Sequence, residues 1–157
     1  MEGTNVKAQV TWTGPGLRLV GETEDGPAIV VDSSGDDYGR HSGLAPMELV
    51  LVGLAGCTAM DVISIMAKKR QPMTNLQVKV DAERSATHPK VYTKIHIEYV
   101  AYGEGIDEKA LLRAIELSEE SYCSVTAMLK HTAEITSSAR IVAAPNPAVP
   151  GPIGTSN

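Results

Sequence analysis

Phenylalanine is absent from the 157 residues, and aromatic residues of all kinds make up only 4% of them. So few rings leave little material for the stacking platforms that hold single-stranded nucleic acids. Positive charge is short as well: 14 Lys and Arg stand against 19 Asp and Glu, a net charge of −5. No nucleic-acid partner is expected, because such a binder needs an excess of cations to displace phosphate counterions. Only two cysteines occur, Cys57 and Cys123, which excludes a secreted disulfide scaffold. Residues Met1 to Gln9 lack the basic start and apolar stretch of a signal peptide. The longest apolar run, Leu49 to Met60, covers 12 residues and is interrupted only by Gly53, Gly56 and Thr58. That is short for a bilayer crossing and suits a buried helix. A cytoplasmic location with both thiols reduced is expected, without a membrane partner.

What is present describes an ordinary globular chain, 43% hydrophobic and 21% charged. The length fits one domain, placed here over residues 1–142. From residue 143 to 157 the chain carries no charge and four of the nine prolines, and reads as a tail.

Hydrophobic periodicity gives the elements. Val6, Ala8, Val10 and Trp12 alternate with polar residues, as in a strand with one buried face. A Gly14-Pro15-Gly16 turn leads to a second strand, Leu17 to Thr23, and Ala28 to Val31 forms a third. Asp32 to Ala45, rich in Gly, Ser and Asp, is a long loop of the kind that is often functional or flexible. Pro46 opens a helix that ends at Lys68-Lys69-Arg70, cations suited to a helix C-terminus. This helix is apolar on nearly every side, so it is expected at the centre of the core. Two more strands follow, with Leu76, Val78, Val80 and Ala82 on one face and Val91, Ile95, Ile97 and Tyr99 on another. Asp107 suits the N-cap of a helix to about Ser121. Cys123 opens a shorter one, and Ala133 to Ala139 alternate as a last strand. The order β-β-β-α-β-β-α-α-β predicts an α+β fold with an antiparallel-rich sheet.

The chemistry centres on the cysteines. Free cysteines commonly end as small buried hydrophobes, and that reading stands beside a redox one. Cys123 lies where one helix ends and another begins, where unpaired N–H groups favour a thiolate. Asp61, one turn after Cys57, would raise the Cys57 pKa by like-charge repulsion, so a reactive Cys57 needs a cation nearby. His41, His88, His96 and His131 are scattered, and none pairs with a cysteine at ligand spacing, so no metal is expected. His96 reads as solvated surface, and the pair Glu119-Glu120 as a solvated helix face. No nucleophile elbow, P-loop or dinucleotide fingerprint is present, and no cofactor is expected.

Two segments carry a resemblance. Pro46-Met47-Glu48-Leu49-Val50-Leu51-Val52-Gly53-Leu54-Ala55-Gly56-Cys57-Thr58-Ala59 resembles the first cysteine motif of the OsmC/Ohr family, the osmotically inducible and organic-hydroperoxide-resistance proteins. Leu117-Ser118-Glu119-Glu120-Ser121-Tyr122-Cys123-Ser124-Val125 resembles the second. The resemblance covers about residues 5–141 and implies an intertwined homodimer, with long central helices in the core and sheets outside. It implies a peroxidase without metal or haem. Cys57 attacks a small hydroperoxide, Cys123 resolves the sulfenic acid as a disulfide, and an external dithiol reduces it. Arg18 matches the family's activating arginine. The activating glutamate of the better-characterised peroxidases directly follows the motif proline, where this chain has Met47; Glu48 is one residue later. In a straight helix Glu48 lies about 13.5 Å along the axis from Cys57 and on the opposite side, so it would act through a bend or from the other subunit. That departure resembles a divergent OsmC-like subgroup. A small-molecule-binding dimer of the same fold, with structural cysteines, is the alternative.

Overall fold

The computed structural model describes residues 3–33, 35 and 38–144. Most of the Pro-rich segment expected over 143–157 therefore lies outside the described residues. In chain order the elements are β1 (Ala8–Trp12), β2 (Leu19–Thr23), β3 (Ile29–Val31), α1 (Pro46–Lys68), β4 (Asn75–Arg84), β5 (Tyr92–Tyr102), α2 (Glu108–Leu117), α3 (Ser124–Leu129) and β6 (Glu134–Val142). A π-helical turn, Ser118–Tyr122, joins α2 to α3. The α+β order expected from periodicity is observed. The chain divides into two compact units between Leu51 and Val52.

In the first unit β1, β2 and β3 form an antiparallel sheet in sequence order, with Trp12 opposite Leu19 and Leu19 opposite Val31. Gly16 in the β1–β2 turn has φ 73°, and a Cβ there would lie 2.2 Å from the Tyr38 carbonyl oxygen, so no side chain fits. The long loop after β3 closes on itself: Asp32 N–H donates to Leu44 O at 3.1 Å. Inside it the buried Asp32 carboxylate accepts the Ser42 hydroxyl at 2.5 Å and the N–H groups of Ser33 and Ser42 at 2.8 and 3.1 Å. These donors, the Ser42 hydroxyl foremost, stabilise the charge and hold the carboxyl at about 2.

In the second unit the sheet order is β4-β5-β6. β4 and β5 are antiparallel, whereas β5 and β6 are parallel. The parallel pair follows from connectivity, because strands joined through a helical crossover run in the same direction. Alternation along β5 sends Ile95, Ile97 and Tyr99 to the core. Helix α2 brings Ala110, Leu111, Ala114 and Ile115 to that core, and Asp107 caps it by accepting Lys109 N–H at 3.1 Å.

Helix α1 is buried along one stripe of the single chain. Leu54, Thr58, Val62 and Met66, four residues apart, are fully buried. The stripe Gly53, Gly56, Met60, Ile63 is different: Met60 is 73% exposed, and a Cβ at either glycine would meet nothing within 4 Å. Within one chain the helix is thus half covered. Its 23 residues exceed the 12-residue run and would suffice by length and composition to span a bilayer. The buried stripe and the polar contacts of Thr58 and Asp61 make it a core helix. Arg70, in the left-handed region at φ 53°, and the Gln71 N–H bond to Met66 O end it.

Candidate active site

Cys57 and Asp61 stand one helical turn apart on α1, so their side chains project from neighbouring positions of one face. Cys123 reaches the same place through the irregularity before α3. Its N–H bonds to Ser118 O at 2.7 Å, five residues back instead of four. In an uninterrupted α-helix Tyr122 would follow Ser118 on the buried face; the extra residue turns Tyr122 outward, 61% exposed, and gives the interior position to Cys123, 3% exposed. As a result the two sulfur atoms and a carboxylate oxygen of Asp61 all lie within 4.8 Å of one another. Cys57 is half-buried and Cys123 buried.

Cys123 is also the N-cap of α3, its Sγ accepting Thr126 N–H at 3.4 Å. From sequence this position favours an acidic thiol. The structure reverses that expectation: burial pushes the Cys123 thiol up, outweighing the Thr126 contacts, and the neighbouring Cys57 adds to the rise. A thiol held protonated suits a second-acting sulfur better than an initial nucleophile.

Behind this trio runs a chain of hydroxyls. Ser118 Oγ donates to Asp61 Oδ2 at 2.9 Å, Thr58 Oγ1 lies 2.9 Å from Ser118 Oγ, and Tyr99 Oη lies 2.6 Å from Thr58 Oγ1. Tyr99 Oη donates onward to Glu119 Oε1 at 3.1 Å, and Ser137 Oγ donates to Glu119 Oε2 at 3.2 Å. Thr58, Tyr99 and Ser118 are fully buried. Burial, with Glu119 adding to it, raises the Tyr99 phenol, which therefore remains a neutral hydroxyl. Glu119 is not merely part of a solvated face. Sequence reasoning missed this chain; its one visible signal is Asp61, a lone carboxylate in an apolar helix. His96, exposed as expected, bonds across to Thr136 and Ser138 at 2.8 and 2.9 Å.

Arg18 and Glu48 belong to the first unit. Arg18 precedes β2, and its Nη2 donates to Gly14 O at 3.3 Å. Glu48 reaches back to accept Ala45 N–H at 2.8 Å, the cap that a glutamate at the third helical position provides. The first unit also holds an apolar groove of about 460 Å³ lined by Trp12, Leu17, Leu19, Val31 and Pro46.

Among the described residues, Cys57, Asp61 and Cys123 are the trio whose donor atoms converge. Structural zinc sites close four ligands, and three is the minimum for a catalytic site. The arrangement places a thiol pair beside a carboxylate that accepts the Ser118 hydroxyl.

The family model described as OsmC-like protein matches residues 39–138. Protein YhfA of Escherichia coli K12 is 37% identical over 139 residues, which span 88% of this chain and all of that one. The crystal structure of a hypothetical protein from Aquifex aeolicus VF5 shares 33% identity and superposes with a TM-score of 0.74, covering 90% of this chain and all of the other. An organic hydroperoxide resistance protein OsmC from Legionella pneumophila has the same fold at 14% identity, with a TM-score of 0.65 and coverage of 88% and 98%. The chain belongs to the OsmC-like protein family.

Proposed function

We propose that this protein is a thiol-dependent hydroperoxide reductase of the cytoplasm, serving oxidative or osmotic stress defence. The observation that carries the reading is the convergence of Cys57 and Cys123 sulfurs within 4.8 Å, from elements 66 residues apart in sequence. A disulfide needs its sulfurs to close to about 2.05 Å, and this separation leaves only a small movement.

Cys57, the more accessible sulfur, attacks the terminal peroxide oxygen as a thiolate. The S–O bond forms, the O–O bond breaks, and the alcohol leaves with a proton. Cys123 displaces water from the sulfenic acid as the disulfide forms, and an external dithiol returns both sulfurs to thiols. Arg18 keeps the Cys57 thiolate charged, and Glu48 assists by orienting it. Both come from the first unit. The working species is a homodimer, whose subunits cover each other's open α1 stripe. Its family membership and the name of the Legionella relative support this reading.

The apolar groove favours one other reading, a dimer that binds a small apolar molecule and reduces nothing. The experiment separating them adds one equivalent of tert-butyl hydroperoxide to the reduced protein and titrates free thiols. Loss of both thiols, abolished by Cys57→Ser, supports the reductase. Consumption no faster than by free cysteine selects the binding protein.

A further inference from the structure

The hydroxyl chain behind the cysteines does not add up as a static set of hydrogen bonds. Four links join Asp61 to Ser118, Ser118 to Thr58, Thr58 to Tyr99 and Tyr99 to Glu119. Each link needs one proton, and Ser118, Thr58 and Tyr99 hold one hydroxyl proton apiece, three for four links. Ser137 uses its own proton on the other Glu119 oxygen. A fourth proton, carried by either terminal carboxyl, would complete all four links. If it is on Glu119, every hydroxyl points toward Asp61, which is then a bare carboxylate. If it is on Asp61, every hydroxyl points toward Glu119. The two forms interconvert when each hydroxyl passes one proton along. The three hydroxyls between them are closed to water, whereas Glu119 is part-exposed and Ser137 exposed.

We infer that Asp61 is the proton-transfer residue of the Cys57–Cys123 pair, and that Ser118, Thr58 and Tyr99 form a buried relay connecting it to Glu119 at the surface. This rests on the redox reading above. Protonated Asp61 gives its proton to the alkoxide that leaves when the Cys57 thiolate breaks the O–O bond, so the products are Cys57–SOH and an alcohol. The resulting carboxylate then takes the Cys123 thiol proton as that sulfur attacks Cys57. The S–S bond forms, the S–O bond breaks, and the departing hydroxide receives the same proton and leaves as water. Cys57 sulfur is reduced in this step and Cys123 sulfur oxidised. Asp61 ends as a carboxylate, and the relay recharges it from Glu119. A thiol held protonated by burial, as Cys123 is, has particular need of such a base.

Single-turnover reactions with tert-butyl hydroperoxide, followed by sulfenic-acid trapping and thiol titration, test this in the full-length protein. Asp61→Asn is expected to slow disulfide formation on the order of a hundredfold, the usual range for losing a positioned acid–base group. In mixtures of light and heavy water, the rate of the native protein should fall along a curve that reports several protons in flight. Thr58→Val, which keeps shape but removes the hydroxyl, should straighten that curve, and Thr58→Ser should restore it. A merely structural Thr58 would not produce this pattern. The infrared band of a protonated carboxyl, lost in the Asp61→Asn/Glu119→Gln double variant, reads the shared proton without peroxide. A protein inert to peroxide yet showing the band overturns the reductase and leaves the shared proton in place. An active protein whose Asp61→Asn variant keeps its rate, and whose Thr58→Val variant keeps its curve, overturns the relay alone.

Discussion

Tyr99 Oη lies 2.6 Å from Thr58 Oγ1, and with both residues fully buried this bond ties strand β5 to helix α1. Burial means that losing either hydroxyl leaves the other short of a partner, so the bond matters to stability.

Tyr99→Phe should therefore destabilise the protein. It removes the hydroxyl shared by Thr58 and Glu119, and leaving buried groups short of a partner costs about 1–3 kcal/mol. Urea unfolding should show a lower midpoint with an unchanged slope. An unaltered midpoint would mean that the Thr58–Ser118 bond alone satisfies the site.

The cysteine variants should fail at different steps. Cys57→Ser should abolish the first turnover, because a hydroxyl cannot match a thiolate as nucleophile at neutral pH. Cys123→Ser should complete one attack and stall as sulfenic acid on Cys57, which excess peroxide carries to sulfinic acid. Mass spectrometry after one equivalent of peroxide checks this. Sulfenic acid on Cys123 in the Cys57→Ser protein would reverse the assignment.

Arg18→Ala should slow peroxide reduction more than it lowers stability. A fixed positive charge 4 Å from a thiolate is worth about 4 kcal/mol at an effective dielectric of 20, before desolvation. Since one pKa unit needs only about 1.4 kcal/mol, a fraction of this is enough. Thiol reactivity measured against pH would expose the change, and an identical profile would remove Arg18 from the mechanism.

Met60→Glu places a charge in the open stripe of α1, where Met60 is 73% exposed in the single chain. If a second subunit covers that stripe, the variant buries an unpaired carboxylate, and sedimentation should show a dimer falling to monomers at micromolar concentration. A native protein already monomeric at that concentration would defeat the dimer.

Asp32 sets the acid limit of the first unit. Its carboxyl titrates at about 2 in the folded chain and near 3.9 unfolded. A depressed folded value gives stability that is complete above about pH 4 and is lost as pH falls toward about 2. Asp32→Asn should lower stability at neutral pH and flatten this acid arm. The single tryptophan, Trp12, lies in the same unit and reports the transition by fluorescence.

Much of this was legible in the residues themselves. Period-two alternation, the proline and cations bounding α1, and Asp107 as an N-cap act over a few residues, and strands, helix and cap formed there. Val6 and Val91 fall just outside their strands, and the face of β1 expected to be buried, with Val10 and Trp12, is exposed in the single chain because its own unit packs nothing over it. Both cysteine motifs were visible, and they point to the OsmC-like family that the comparisons show. Tertiary structure decided what no local pattern encodes. One extra residue in the turn before α3 brought Cys123 to Cys57, and burial then overruled the helix terminus that favours a Cys123 thiolate. Thr58, Tyr99 and Ser118 look in sequence like small or apolar-face residues of separate elements, 41 and 60 positions from Thr58 in the latter two cases. They became a single polar chain because a hydroxyl carried into the interior is stabilised by a partner there, and the nearest ones were each other.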